Sequence, residues 1–334
     1  MAREGARPPR PAYDPAGHDA ALRAALQDLR TGRWMAMRGL LADTATWWQW
    51  TQRTQVLAAA AAGTDVVRAW LAEEPHSVPA AVMHARVGVE RALRAQREQH
   101  ATAGELVDEA RDVAHAAARL APADPVPWIC LLALARLDPE RQRQEHREAP
   151  PEPMLPTGPW GLLAEADKRD PHNREAHHRV LQFLYARGGS SGRLAEAAGY
   201  AQWAAGAAPP GSALHLLPLY VRVERYRRGG GLDAALDLHW VAEDATREAR
   251  RALHSWFEHS YRAERSLLDL NHLAHALWGA LRFPDAARVF DAIGPYFTPP
   301  PWMYRTPDHG RAVEVFAQAR ARCLAASEDS ATGP

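Results

Sequence analysis

The chain has 334 residues, 47% of them hydrophobic, and its 40 basic and 40 acidic side chains cancel. That is enough for a large core, and the zero formal charge gives no support for binding nucleic acid or a membrane surface. The two cysteines, Cys130 and Cys323, are too few for a metal framework, and no disulfide is expected inside a cell.

Residues 1–15 are rich in arginine and proline and have no apolar run, which predicts a disordered arm rather than a signal peptide. The longest uncharged run, 54–63, is too short to span a bilayer, so a cytoplasmic protein is expected. Helices begin near His18. Leu22, Ala25, Leu26 and Leu29 make one apolar stripe, Gly32 ends that helix, and Met37, Leu40 and Leu41 continue a second, like a capping hairpin. Thr46 opens a helix with Trp47, Trp48 and Trp50, whose directions span more than half the helix circumference, so burying all three needs packing on both faces.

Long helices follow at 78–100 and 105–121, and 131–137 is apolar all round. Six prolines and a wholly polar run then mark 138–159 as a linker or long surface loop between hairpins at 16–137 and 160–326. Helical patterns return at 160–169, 175–186 and 214–228, with a Gly/Ser turn at 188–192. The stretch 232–262 reads as one long helix, 266–293 as a hairpin and 308–326 as a closing helix, with a disordered tail at 327–334.

Two stretches share one spacing: Ala110, Ala114, Ala117, Pro122, and Ala197, Ala201, Ala204, Pro209. Small residues at i, i+4 and i+7 lie on one face and admit a second helix closely, and the proline stops the helix. Chance predicts roughly 0.2 such matches in a chain of this composition. Looser copies precede Pro75, Pro171, Phe257 and Pro299. This pattern resembles the second helix of the tetratricopeptide-repeat superfamily, over roughly residues 60–322, although the spacing here is longer than the 34-residue family period. The near absence of lysine, Lys168 alone, fits a GC-rich bacterial coding sequence.

The resemblance implies an all-α, right-handed superhelix, an α-solenoid of tetratricopeptide-like hairpins, whose concave face holds a protein or peptide partner. Aligned with the family, the repeat ending at Pro299 puts Asn271, His275 and Trp278 on the inner face of its first helix. The corresponding faces before it present Arg179 and Gln182, then Tyr220 and Arg225. Together these suit an extended peptide with an acidic or carboxyl-terminal group.

The alternative is a helical enzyme or metal-binding protein of secondary metabolism. Glu73 and His76, Asp112 and His115, Glu175 and His178, and Asp269 and His272 each place a carboxylate three residues before an imidazole. About 1.9 such pairs are expected by chance. Without a nucleophile elbow, zinc helix or dinucleotide-binding glycine pattern, no catalytic residue, metal ligand or cofactor is assigned.

Overall fold

The computed structural model describes residues 10–186, 192–229 and 234–332. Among them are seventeen α-helices and no strand, only isolated bridges. No helix among the described residues is long and apolar enough to cross a membrane. The chain divides into two compact units, His18–Ala204 and a second made of Met1–Gly17 with Ala205–Pro334.

The first unit carries α1 (Ala20–Arg30), α2 (Met35–Ala42), α3 (Trp47–Ala61), α4 (Val66–Glu73), α5 (Val78–Arg97), α6 (Ala103–Leu120), α7 (Val126–Ala135), α8 (Trp160–Asp167), α9 (Arg174–Ala186) and most of α10 (Gly192–Ala207). Side chains that accept from the first-turn amides start several of them: Asp19 for α1, Thr46 for α3 and Ser77 for α5. Pro75, Pro122, Pro171 and Pro209 follow α4, α6, α8 and α10, the second helix of each successive pair. Each helix from α4 to α8 packs on the next, and α1, α3, α5, α7 and α9 also pack each on the next of that series.

The small-residue face does what its spacing predicts. Ala110, Ala114 and Ala117 are buried, as are Ala197, Ala201 and Ala204. A Cβ added to Gly88 of α5 would lie 3.5 Å from both Cα and Cβ of Ala110, so the two helices meet almost backbone to backbone there. Of the three tryptophans that open α3, Trp50 is buried and donates from Nε1 to Asp124 Oδ2 at 2.9 Å, whereas Trp47 is exposed. Trp48 is half-buried, so the three are not all buried although α3 packs against both α1 and α5.

The proline-rich stretch 138–159 lies inside this unit and is fastened to it. Glu145 pairs with Arg111 of α6, His146 is buried beside Asp138 and Glu145, and Leu155 is buried. The unit boundary comes at Ala204 instead. The Gly/Ser turn expected at 188–192 lies outside the described residues except for Gly192.

The second unit carries α11 (Leu217–Arg228), α12 (Ala234–Val241), α13 (Glu243–Ala252), a wide π turn at Leu253–Phe257, α14 (Leu267–Gly279), α15 (Phe283–Ile293), α16 (Pro299–Trp302) and α17 (Ala312–Thr332). Three sequence expectations need correction here. The single helix over 232–262 is broken at Ala242, whose ψ is 148°. In an unbroken helix Trp240 and Ala245 would point about 140° apart; the break lets both be buried. The helix also leaves its course at Glu258, after the π turn, rather than at about residue 262. At the C-terminus α17 continues to Thr332, through most of the stretch expected as a tail. Of the expected arm, residues 1–9 are outside the described residues, but Ala12 is held by backbone bonds to Pro295 and Phe297 of this unit.

Candidate binding site

The seven residues that the sequence assigns to an inner face divide between the units. In the second unit, Asn271, His275 and Trp278 do share a face of α14, but the chain itself covers it. Asn271 is buried and accepts from Trp302 Nε1 at 2.8 Å, while its Nδ2 donates to the Leu267 carbonyl at 2.8 Å. His275 is buried and its Nε2 accepts from Arg305 Nε at 2.8 Å. Trp278, half-buried, stands beside Trp302 and 5.1 Å from the Arg305 guanidinium carbon. These three are therefore fastenings for 299–305. The sequence could not place them beneath Trp302 and Arg305, because nothing in α14 announces which later segment will lie on it.

Arg305 occupies an aromatic enclosure. Its guanidinium carbon lies 4.6, 5.5 and 5.1 Å from the ring centroids of Tyr226, Trp240 and Trp278. Gly279 makes room, since a Cβ there would fall 2.9 Å from Trp240 Cβ. Burial, then the charge of Arg305 and the neighbouring His272, push the His275 imidazole well below its ordinary value. Neutral His275 can accept from Arg305 only if its proton is on Nδ1, and that atom has no hydrogen-bond partner among the described residues. Trp240 Nε1 is also a buried donor without one.

Tyr220 and Arg225 sit on α11. Tyr220 donates to Asp269 Oδ1 at 2.6 Å and stacks on His272 with centroids 3.8 Å apart. Arg225 is different. It is exposed and lines a pocket of about 290 Å3 with Arg222, Tyr226, His239 and Trp240. The other arginines of α11 hold carboxylates: Arg222 meets Glu248 and Asp244, and Arg227 and Arg228 both meet Glu224. Among the described residues the Arg225 side chain has no hydrogen bond or ion pair, and neither does that of exposed His239. Leu238 and Val241, three residues apart on α12, are 67% and 42% exposed. Sequence reading missed His239 and Trp240; the available signal was an apolar pair, Leu238 and Val241, left on one face of a short helix.

In the first unit, Arg179 and Gln182 belong to a buried charge cluster. Glu175 takes both Arg86 guanidinium nitrogens, at 2.6 and 2.7 Å, and Arg179 Nη2 at 2.7 Å. Burial alone would push the Glu175 carboxyl up, but the charges of Arg86 and Arg179 and their hydrogen bonds outweigh it and hold it at about 2. Arg179 Nη1 donates to Gln182 Oε1 at 3.1 Å, and Arg136, the residue that ends α7, donates to the same oxygen at 3.3 Å.

The acid and histidine pairs go to other tasks. Glu175 is spent on arginines, Asp269 holds Tyr220, and His272 Nδ1 donates to the Leu268 carbonyl. Among the described residues no three His, Cys, Asp or Glu side chains come together as metal ligands. No family model, curated protein or solved structure matches this chain significantly.

Proposed function

We propose that the chain is a tetratricopeptide-like scaffold that binds a protein or peptide partner through a carboxylate, received by Arg225 at the pocket of the second unit. Support for the repeat reading comes from the first unit: its paired helices, the prolines that follow every second one, and the series α1, α3, α5, α7, α9 in which alternate helices meet. The observation that carries the binding reading is Arg225: a cation whose side chain has no partner among the described residues, lining a pocket with Tyr226 and Trp240, on a helix whose other arginines are all paired.

The space of about 290 Å3 includes the solvent open above it, so the pocket takes the tip of one anchoring residue of a longer ligand rather than a whole small molecule. An apolar or aromatic side chain would stack in it, its carboxylate on Arg225 with His239 beside it, and neighbouring residues would cover Leu238 and Val241. Random peptides displayed with free carboxyl termini test this. Binders should converge on an apolar or aromatic last residue, and Arg225→Ala should release them. Binders indifferent to Arg225→Ala would refute the reading.

A further inference from the structure

A second cationic cluster lies in the first unit, on helices that play no part in the pocket of the second. Arg97 stands in the last turn of α5, Arg136 ends α7, and Arg179 and Gln182 are one turn apart on α9. Two guanidiniums, from Arg136 and Arg179, converge on a single neutral acceptor, Gln182 Oε1. An amide oxygen gives Arg136 a partner without a countercharge, and Arg179 has only a share in Glu175, which Arg86 also holds.

The charges can be enumerated. Arg136 feels Arg179, Arg97 and Glu90, and the next charges inward are Arg86 and Glu175. Counting only Arg136 and the groups that act on it directly, three arginines stand against one carboxylate, a surplus of two positive charges. Burial first, then Arg179 and Arg97, push the Arg136 guanidinium down from its ordinary value, and Glu90 offsets them only in part. Arginines at helix ends often satisfy the last carbonyls. Arg136 does not take that role in its one side-chain bond, which goes across to α9. Arg97 is exposed and has no side-chain bond among the described residues, so the cluster opens to solvent on its side.

We propose that Arg136, Arg179 and Arg97 bind a phosphate group, with Gln182 Oε1 holding the two guanidiniums in place until the anion arrives. A phosphate carries about −1.5 to −2 charge near pH 7, which matches the surplus, and its oxygens can each take guanidinium N–H groups at once. A carboxylate would neutralise only half of it. The assignment is independent of the carboxylate reading of the second unit, because no residue is shared.

The test is equilibrium dialysis of the full chain against radiolabelled inorganic phosphate at fixed ionic strength, with O-phosphoserine in a parallel arm. The wild-type protein should take up about one phosphate per chain, saturably. Arg136→Ala should weaken uptake about tenfold or more. Gln182→Glu should abolish it, since it puts a carboxylate where the anion belongs, whereas Gln182→Ala, which removes only the neutral acceptor, should keep it. Circular dichroism should report all three variants as folded. Tighter binding of phosphoserine would identify a phosphate ester as the ligand, and equal or weaker binding the free anion. Any thermal stabilisation by phosphate that persists in Gln182→Glu is the general effect of an excluded salt. No saturable uptake by the wild type, or uptake unchanged in Gln182→Glu, would overturn the proposal.

Discussion

Replacing Glu175 by Gln keeps the shape of the side chain and removes the charge between Arg86 and Arg179. Those three side chains are 4%, 4% and 7% exposed, so solvent cannot compensate. Breaking a buried pair by neutralising one partner costs about 3–5 kcal/mol. The pH dependence gives a second route to the figure. The carboxyl falls from an ordinary 4.5 to about 2 in the folded chain, and at about 1.4 kcal/mol per unit this is on the order of 3 kcal/mol. Because the folded value is depressed, the stabilisation is fully present above about pH 4.5 and disappears as pH falls through 2. Urea unfolding followed by circular dichroism should therefore show Glu175→Gln about 3 kcal/mol less stable at pH 7, with the gap closing toward pH 2. Hydrogen exchange should locate the loss in α9. The double variant Arg86→Met with Glu175→Met should recover only part of it, since Arg86 no longer opposes the removed charge but Arg179 still lacks its carboxylate. A difference below about 1 kcal/mol at pH 7, or one that persists unchanged at pH 2, would refute the reasoning.

Three further outcomes follow from the packing. Ala114→Leu and Ala201→Leu should each cost about 1–3 kcal/mol by overpacking a close helix contact, whereas exposed Glu98→Leu should cost little; equal melting temperatures would remove the small-residue seam. Arg305→Ala should lose about 2 kcal/mol or more by emptying the aromatic enclosure and should change the near-ultraviolet dichroism of Trp240, Trp278 and Trp302; an unchanged spectrum would show that the enclosure does not order them. Trp50→Phe should cost about 1–3 kcal/mol by leaving the Asp124 carboxylate buried with one donor fewer, and calorimetry at pH 7 reads it.

How much of this was legible in the sequence depends on how far apart the cooperating residues lie. The alanine spacing revealed the close helix faces because everything it needs is within twelve residues, and the same holds for the stripe Leu22, Ala25, Leu26, Leu29 and the cap at Thr46. Arg86 and Glu175 are 89 residues apart, and no local pattern joins them. Asn271 and His275 were legible as a shared face but not as a covered one, since Trp302 and Arg305 arrive from about thirty residues downstream. The break at Ala242 was hidden for another reason: no glycine or proline marks it, and what the break achieves is the burial of both Trp240 and Ala245. Arg225 was visible as a candidate, but that its side chain has no partner among the described residues is a property of the fold, set by where Glu224, Asp244 and Glu248 point.

The most direct test of the binding reading compares one selected peptide as its free acid and as its amide, against wild type and Arg225→Ala, by isothermal titration calorimetry. A charged hydrogen bond between the carboxylate and Arg225 predicts that amidation weakens wild-type binding about tenfold or more, that Arg225→Ala matches that loss, and that the acid and the amide then bind the variant equally. Full discrimination between acid and amide by Arg225→Ala would contradict the account.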